Sequence, residues 1–130
     1  MISKLIANRL LGAQIDCPAG LELPPGVVLR RSRWIPRLAG ALARLGGPAA
    51  AVTLGRSVVL HPETRVTSAL LEHELVHVRQ WAGDPLFPLR YAMETLRHGY
   101  RNNRYEREAY DSSDPRSPCN PEAPWQPRNQ

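Results

Sequence analysis

The spacing of apolar residues changes several times along this chain, and each change marks an element. Ile2, Leu5, Ile6 and Leu10 recur at helical intervals around Lys4 and Arg9. Residues 1–13 therefore predict a short amphipathic helix ending at Gly12, docked on the core rather than on a membrane. Residues 14–26 hold Pro18, Gly20, Pro24, Pro25 and Gly26, a loop composition. Val27-Val28-Leu29-Arg30 predicts a short strand. Leu38 to Leu45, rich in Ala and Leu, predicts a helix closed by Gly46-Gly47-Pro48. Two β-branched runs, 51–54 and 57–60, flank Gly55-Arg56 and predict a hairpin, or one strand bulged at the glycine.

A long helical pattern follows. Thr64 to Ser68 supply capping side chains, and the helix runs to Ala82, with Gly83 as its cap and Pro85 beyond. Leu71, Leu75, Val78 and Ala82 form a stripe expected in the core. Leu70, His73, His77 and Trp81 form a second stripe expected to face a cleft. A second helix is predicted over Pro88–Arg97, broken at Gly99-Tyr100. A third, over Arg104–Ser112, is capped by Asn102 or Asn103. The sequence has no internal repeat. From Asp114 onwards it holds five prolines and few apolar residues, which predicts a flexible tail over 114–130 behind one compact α+β domain over 1–113.

Composition changes this picture little. The chain has 130 residues, 42% hydrophobic, with 13 prolines and a net charge of +5 that is nearly all arginine; Lys4 is the one lysine. That charge suits anionic partners or acidic peptides, although a compositional bias of the source explains it as well. Arg30, Arg31, Arg33 and Arg37 surround Trp34 and could contact phosphates, but no nucleic-acid-binding motif frames them. A solvated basic face is the favoured reading, and nucleic acid the less favoured partner. Cys17 and Cys119 form no C-x-x-C and no disulfide framework, which points to a reducing compartment. Arg9 and Asn8 interrupt the first apolar run, so no signal peptide is expected, and no stretch is long enough to span a bilayer. The expected location is cytoplasmic. No feature of the pattern sets an oligomeric state.

The chemistry concentrates in His73-Glu74-Leu75-Val76-His77. On a helix, histidines four apart lie on one face, one turn from each other, and can share a Zn2+ ion, while the glutamate between them stands close enough to act on a metal-bound water. The bland alternative is a surface helix with two solvated histidines. Two imidazoles bind zinc weakly, and a catalytic site wants three protein ligands and an open position. In H-E-x-x-H-x-x-G-x-x-H the glycine and third histidine would fall on Gln80 and Gly83, so that pattern is excluded. Glutamates on a later helix remain, Glu106 and Glu108; residues two apart on a helix point away from each other, so only one of them can serve. Glu72 and Glu94 are weaker candidates. His61 and His98 are read as structural or exposed, with His98 a minor candidate for substrate contact.

The pair His73-Glu74-Leu75-Val76-His77-x-x-Gln80 and Tyr105-Glu106-Arg107-Glu108-Ala109 resembles the small bacterial gluzincin metallopeptidases over about residues 52–111. The resemblance implies a small zincin-like fold in which a strand, a zinc helix and a glutamate helix border a cleft. It implies Glu106 as third zinc ligand, with Ala109 at the small position. Tyr110 departs from it, since the family usually carries Asp or Asn there to orient a ligand histidine; Asp111 or Glu108 are the available substitutes. The implied function is zinc-dependent hydrolysis of a peptide or protein substrate, with Glu74 as general base and Tyr91, Tyr100 or Tyr105 as oxyanion donor. Strand 58–60 would bind an extended substrate by edge pairing. A catalytically inactive, zinc-stabilised protein-interaction domain is the alternative. Cys119 offers a thiolate that could silence a zinc site, against the plainer reading of an incidental cysteine.

Overall fold

A computed structural model of the chain describes residues 3–113. The expected tail, with Cys119, and Ile2 of the first apolar stripe lie outside the described residues. The fold is small α+β, with five helices and a four-stranded mixed sheet among the described residues. The chain divides into two compact units, Met1–Val66 and Thr67–Gln130.

The first unit holds α1 (Lys4–Leu11), β1 (Ala13–Ile15), β2 (Val28–Arg31), α2 (Trp34–Leu42), β3 (Ala51–Leu54) and β4 (Ser57–Leu60). The sheet order is β1-β2-β4-β3; β2 runs parallel to β4, and the other pairs are antiparallel. The predicted hairpin is present, turning on Gly55 at φ +64° in the first of two turn positions, the geometry that two-residue hairpins require. The register aligns Leu29 with Val58 and Arg30 with Val59. Val58, Val59 and Leu60 are all buried, so β4 is covered on both faces. Each such side chain contributes about 1.5–3 kcal/mol by leaving water.

Four expectations change here. Strand β4 lies between β2 and β3, so it has no free edge with which to pair an extended substrate. The interval expected to be loop contains β1, whose three residues are too few to show a period. Helix α2 begins at Trp34, ahead of the expected Leu38: Ser32 Oγ accepts from the N–H groups of Trp34 and Ile35 (3.3 and 3.4 Å), and Pro36 sits in the first turn, where a missing N–H costs nothing. Finally, α1 buries none of its residues, and Leu5, Ile6 and Leu10 stay exposed.

What ties α1 down is polar. Arg30, expected on a solvated face, is buried and donates from Nη1 to Asn8 Oδ1 (2.8 Å) and the Gly12 carbonyl (3.0 Å). Gly12 caps α1 at φ +92°, and a Cβ there would fall 1.9 Å from the Arg31 carbonyl oxygen. Arg31 donates to the carbonyls of His61, Pro62 and Thr64, clamping the segment that leaves β4. Two of the four arginines of the supposed basic patch are thus structural donors.

The second unit holds α3 (Ser68–Gly83), α4 (Phe87–His98) and α5 (Arg104–Ser113). Thr67 caps α3, its Oγ1 accepting from Leu70 N at 3.1 Å. Gly83 is the last helical residue rather than the cap. The buried side chains of α3 are Leu71, His73, Glu74, Val76 and His77; of the apolar stripe expected in the core, Leu71 is buried, Leu75 and Val78 are half-buried and Ala82 is exposed, so polar residues of the motif share the buried face. Phe87 anchors α4 by edge contacts with Trp81 and Tyr105 at 5.5 and 5.0 Å between centroids. Asn103 is buried before α5; its Oδ1 accepts from Tyr105 N, and its Nδ2 donates to the Tyr91 carbonyl and to Thr95 Oγ1.

Candidate metal centre

Helix α3 places His73 and His77 one turn apart with ring centroids 5.0 Å from each other. Helix α5 supplies Glu106, whose carboxylate lies between them: Oε2 is 3.0 Å from His73 Nε2, and Oε1 is 3.2 Å from His77 Nε2. All three residues are buried, each offers one donor atom, and these atoms lie within 4.8 Å of one another. The set could hold a metal ion. Two imidazole nitrogens and one carboxylate form one of the donor sets that three-ligand zinc sites use. Exposed Glu108 and Glu72 stand outside this cluster, and Glu94 pairs with Arg104 at 3.9 Å.

Orientation of His77 comes from its own helix. Its Nδ1 meets Gln80 Oε1 at 2.7 Å, and Gln80 Nε2 donates to the Tyr105 carbonyl at 3.1 Å. The amide therefore ties the imidazole to the backbone of α5 and directs Nε2 into the site, the task that a carboxylate or carbonyl commonly performs beside a metal-ligating histidine. Asp111 and Glu108, the expected substitutes for the family's carboxylate, are both exposed. Tyr110, at the departing position, sets its ring edge-on to His73 at 4.3 Å between centroids. Gln80 belonged to the quoted motif without a role; its i, i+3 spacing from His77 was the signal.

Charges in the cluster act on each other strongly. Burial works to lower the His77 pKa, but the hydrogen bond and charge of Glu106, the charge of Glu74 and the bond to Gln80 outweigh it and raise the pKa above its ordinary value. Burial opposes ionisation of Glu106, yet its bonds to His73 and His77, the His77 charge and the Tyr91 hydroxyl hold its carboxyl well below the usual carboxylate range. Tyr91 donates to Glu106 Oε1 at 2.6 Å. Its own pKa is pushed far up, by burial first and then by the charge of Glu106, so it remains a proton donor throughout the physiological range. Tyr100, raised chiefly by burial, lies 3.3 Å from the hydroxyl of Tyr110, and Tyr105 accepts from Arg104 at 2.7 Å. Of the three tyrosines singled out, Tyr91 is the one that bonds to the cluster. Glu74, buried next to His73 on α3, also acts through its charge on both His77 and Tyr91. His98 is exposed at the end of α4. His61, in the first unit, accepts from Glu63 N within a turn.

A family model described as the eCIS core domain matches residues 37–85. The match covers most of α2, the hairpin and the whole H-E-x-x-H helix, stopping before Glu106, and it takes in well under half of the chain. No curated protein and no solved structure matches the chain. No helix among the described residues is long and apolar enough to cross a membrane.

Proposed function

We propose that this chain is a zinc-dependent peptidase of gluzincin type, with His73, His77 and Glu106 holding the ion and Glu74 serving as general base. The observation that carries the reading is the meeting of these three donors within 4.8 Å, with Glu74 buried on α3, the helix of the two histidines. A zinc ion bound there would supply Lewis acidity, polarising a substrate carbonyl and making a water acidic near neutral pH. Glu74 takes a proton from the attacking water and returns it to the leaving amide nitrogen. Tyr91, kept protonated, offers its hydroxyl to negative charge on Glu106 and holds that carboxylate in place. Gln80 keeps the His77 imidazole aimed while the reaction proceeds.

The test is cleavage of an unstructured protein and of quenched fluorescent peptides by the zinc-loaded chain and its Glu74→Gln variant. The variant should keep its zinc and lose on the order of 10²–10⁴ in rate. Full activity in a zinc-bearing Glu74→Gln protein would defeat the assignment. One observation favours the second reading, a zinc-stabilised interaction domain without activity: at position 110 a tyrosine ring stands against His73 where the resembled family carries an Asp or Asn. Stoichiometric zinc with no cleavage by the wild type would select it.

A further inference from the structure

Helix α2 turns an apolar stripe outwards. Trp34, Leu38 and Leu42 are 77, 63 and 74% exposed, and Leu45, just past the helix, is 39% exposed. They follow one another at helical spacing, while Pro36 and Gly40 bury the opposite side. Arg33, Arg37 and Arg44 are exposed beside them, and no acidic residue occurs between Glu22 and Glu63. Arg44 is held at φ +56°, a left-handed position that usually goes to glycine, where it closes the helix through Arg44 N to the Ala41 carbonyl and Leu45 N to the Gly40 carbonyl.

We propose that this face of α2 docks on an anionic lipid surface, the leucines and Trp34 entering the headgroup boundary and the three arginines meeting lipid phosphates. A short amphipathic helix with arginine on its polar flank and Trp and Leu on its apolar one has the composition of an interfacial anchor. Nucleic acid would use the arginines but leave the apolar stripe in water, and Arg30 and Arg31 are already spent on internal bonds. A protein partner would find a narrow stripe of four apolar side chains, whereas specific interfaces bury roughly 800 Å2 per side. Of the other exposed apolar stripes, Leu86, Leu89, Met93 and Leu96 at α4 lack this charge match, since Asp84 pairs with Arg90 and Glu94 with Arg104 nearby, and Leu5, Ile6 and Leu10 on α1 have no aromatic residue and fewer cations, Lys4 and Arg9, beside them. The inference does not depend on the metal centre.

The experiment is flotation of the full chain with vesicles of phosphatidylcholine alone and of phosphatidylcholine with phosphatidylglycerol at about 3:1, with tryptophan emission recorded in parallel. The expected result is partition onto the anionic vesicles only, weakened by salt, with a blue shift that Trp34→Phe removes. The combined Arg33→Gln, Arg37→Gln, Arg44→Gln protein should lose roughly 100-fold in partition, at about fivefold per arginine. Leu38→Ser with Leu42→Ser should lose the remaining insertion at unchanged circular dichroism. The proposal is overturned by equal partition of the arginine variant and the wild type, or by absence from anionic vesicles. Binding of a single-stranded oligonucleotide that ignores the leucine changes, without vesicle partition, would assign the arginines to nucleic acid instead.

Discussion

The two compact units differ in how much polar surface they bury beside their apolar side chains. In the first, Leu29, Val58, Val59 and Leu60 form an apolar core, and the buried Arg30 spends its charge on the Asn8 side chain and a backbone carbonyl. In the second, His73, Glu74, His77, Asn103 and Glu106 are buried together, with Leu71, Val76, Phe87 and Ala109 around them. Apolar burial stabilises on its own, whereas buried charges stabilise only when each meets a partner of good geometry. The core of the first unit is therefore stabilised chiefly by apolar burial. The second accepts a desolvation cost that a metal ion held by His73, His77 and Glu106 would offset.

The sharpest break in this contrast is the metal. With free zinc at about a thousand times its dissociation constant, the wild type should gain about 4 kcal/mol in unfolding free energy, and Glu106→Gln should gain far less; chemical denaturation with and without zinc measures both. Next comes Leu60→Ala, expected to cost about 3 kcal/mol whether or not zinc is present, because its site lies in the apolar core. A zinc-dependent cost would refute the separation drawn between the units. Asn103→Ala should cost about 2 kcal/mol by stranding the Tyr91 carbonyl, Thr95 Oγ1 and Tyr105 N, and should weaken zinc binding as well, since it loosens the start of α5.

Smaller effects sharpen the comparison. Arg44→Gly should stabilise the chain by about 1 kcal/mol, since the left-handed site then carries no side chain, and thermal melts would show it. The pH dependence is finer still. Because His77 is raised above its ordinary 6.5, its pairing stabilises the zinc-stripped protein below that pH and is lost as pH rises through the raised value. Glu106 is lowered below its ordinary 4.5, so its contribution is present above that pH and is lost as pH falls through the lowered value. The stripped protein should gain most from the pair between those two pH values. Zinc competes with the proton on His77, so the melting-temperature difference between loaded and stripped protein should widen as pH rises from about 6 to 8. A difference that narrows over that range would contradict the assignment of His77 as a ligand.

Elements with strong local signals were legible in the sequence. The hairpin around Gly55, the helix carrying His73 and His77, and the asparagine-capped helix carrying Glu106 all follow from period, turn chemistry and caps. The meeting of Glu106 with both histidines came from a resemblance, because no local signal states which of two glutamates on a later helix turns inwards. Three features escaped because tertiary partners decide them. Arg30 reads as a solvated charge until Asn8 and Gly12 are brought to it. Strand β4 reads as a hairpin arm with one free edge until β2 pairs on that side. Ala82 completes an apolar stripe on paper, yet it is exposed, and helix α3 buries polar residues of its motif alongside Leu71.

The parallel pairing of β2 with β4 also orders events in time. The hairpin of β3 and β4 closes through two residues and can form in microseconds, but β2 must wait for the intervening helix to fold back before its hydrogen bonds are made. Until then the side of β4 that β2 will occupy presents unpaired amides. A fragment trimmed to residues 37–85 would keep that edge open permanently, because β2 lies outside it. Such a piece would be drawn to pair with copies of itself, which makes β2 the chain's own guard against aggregation.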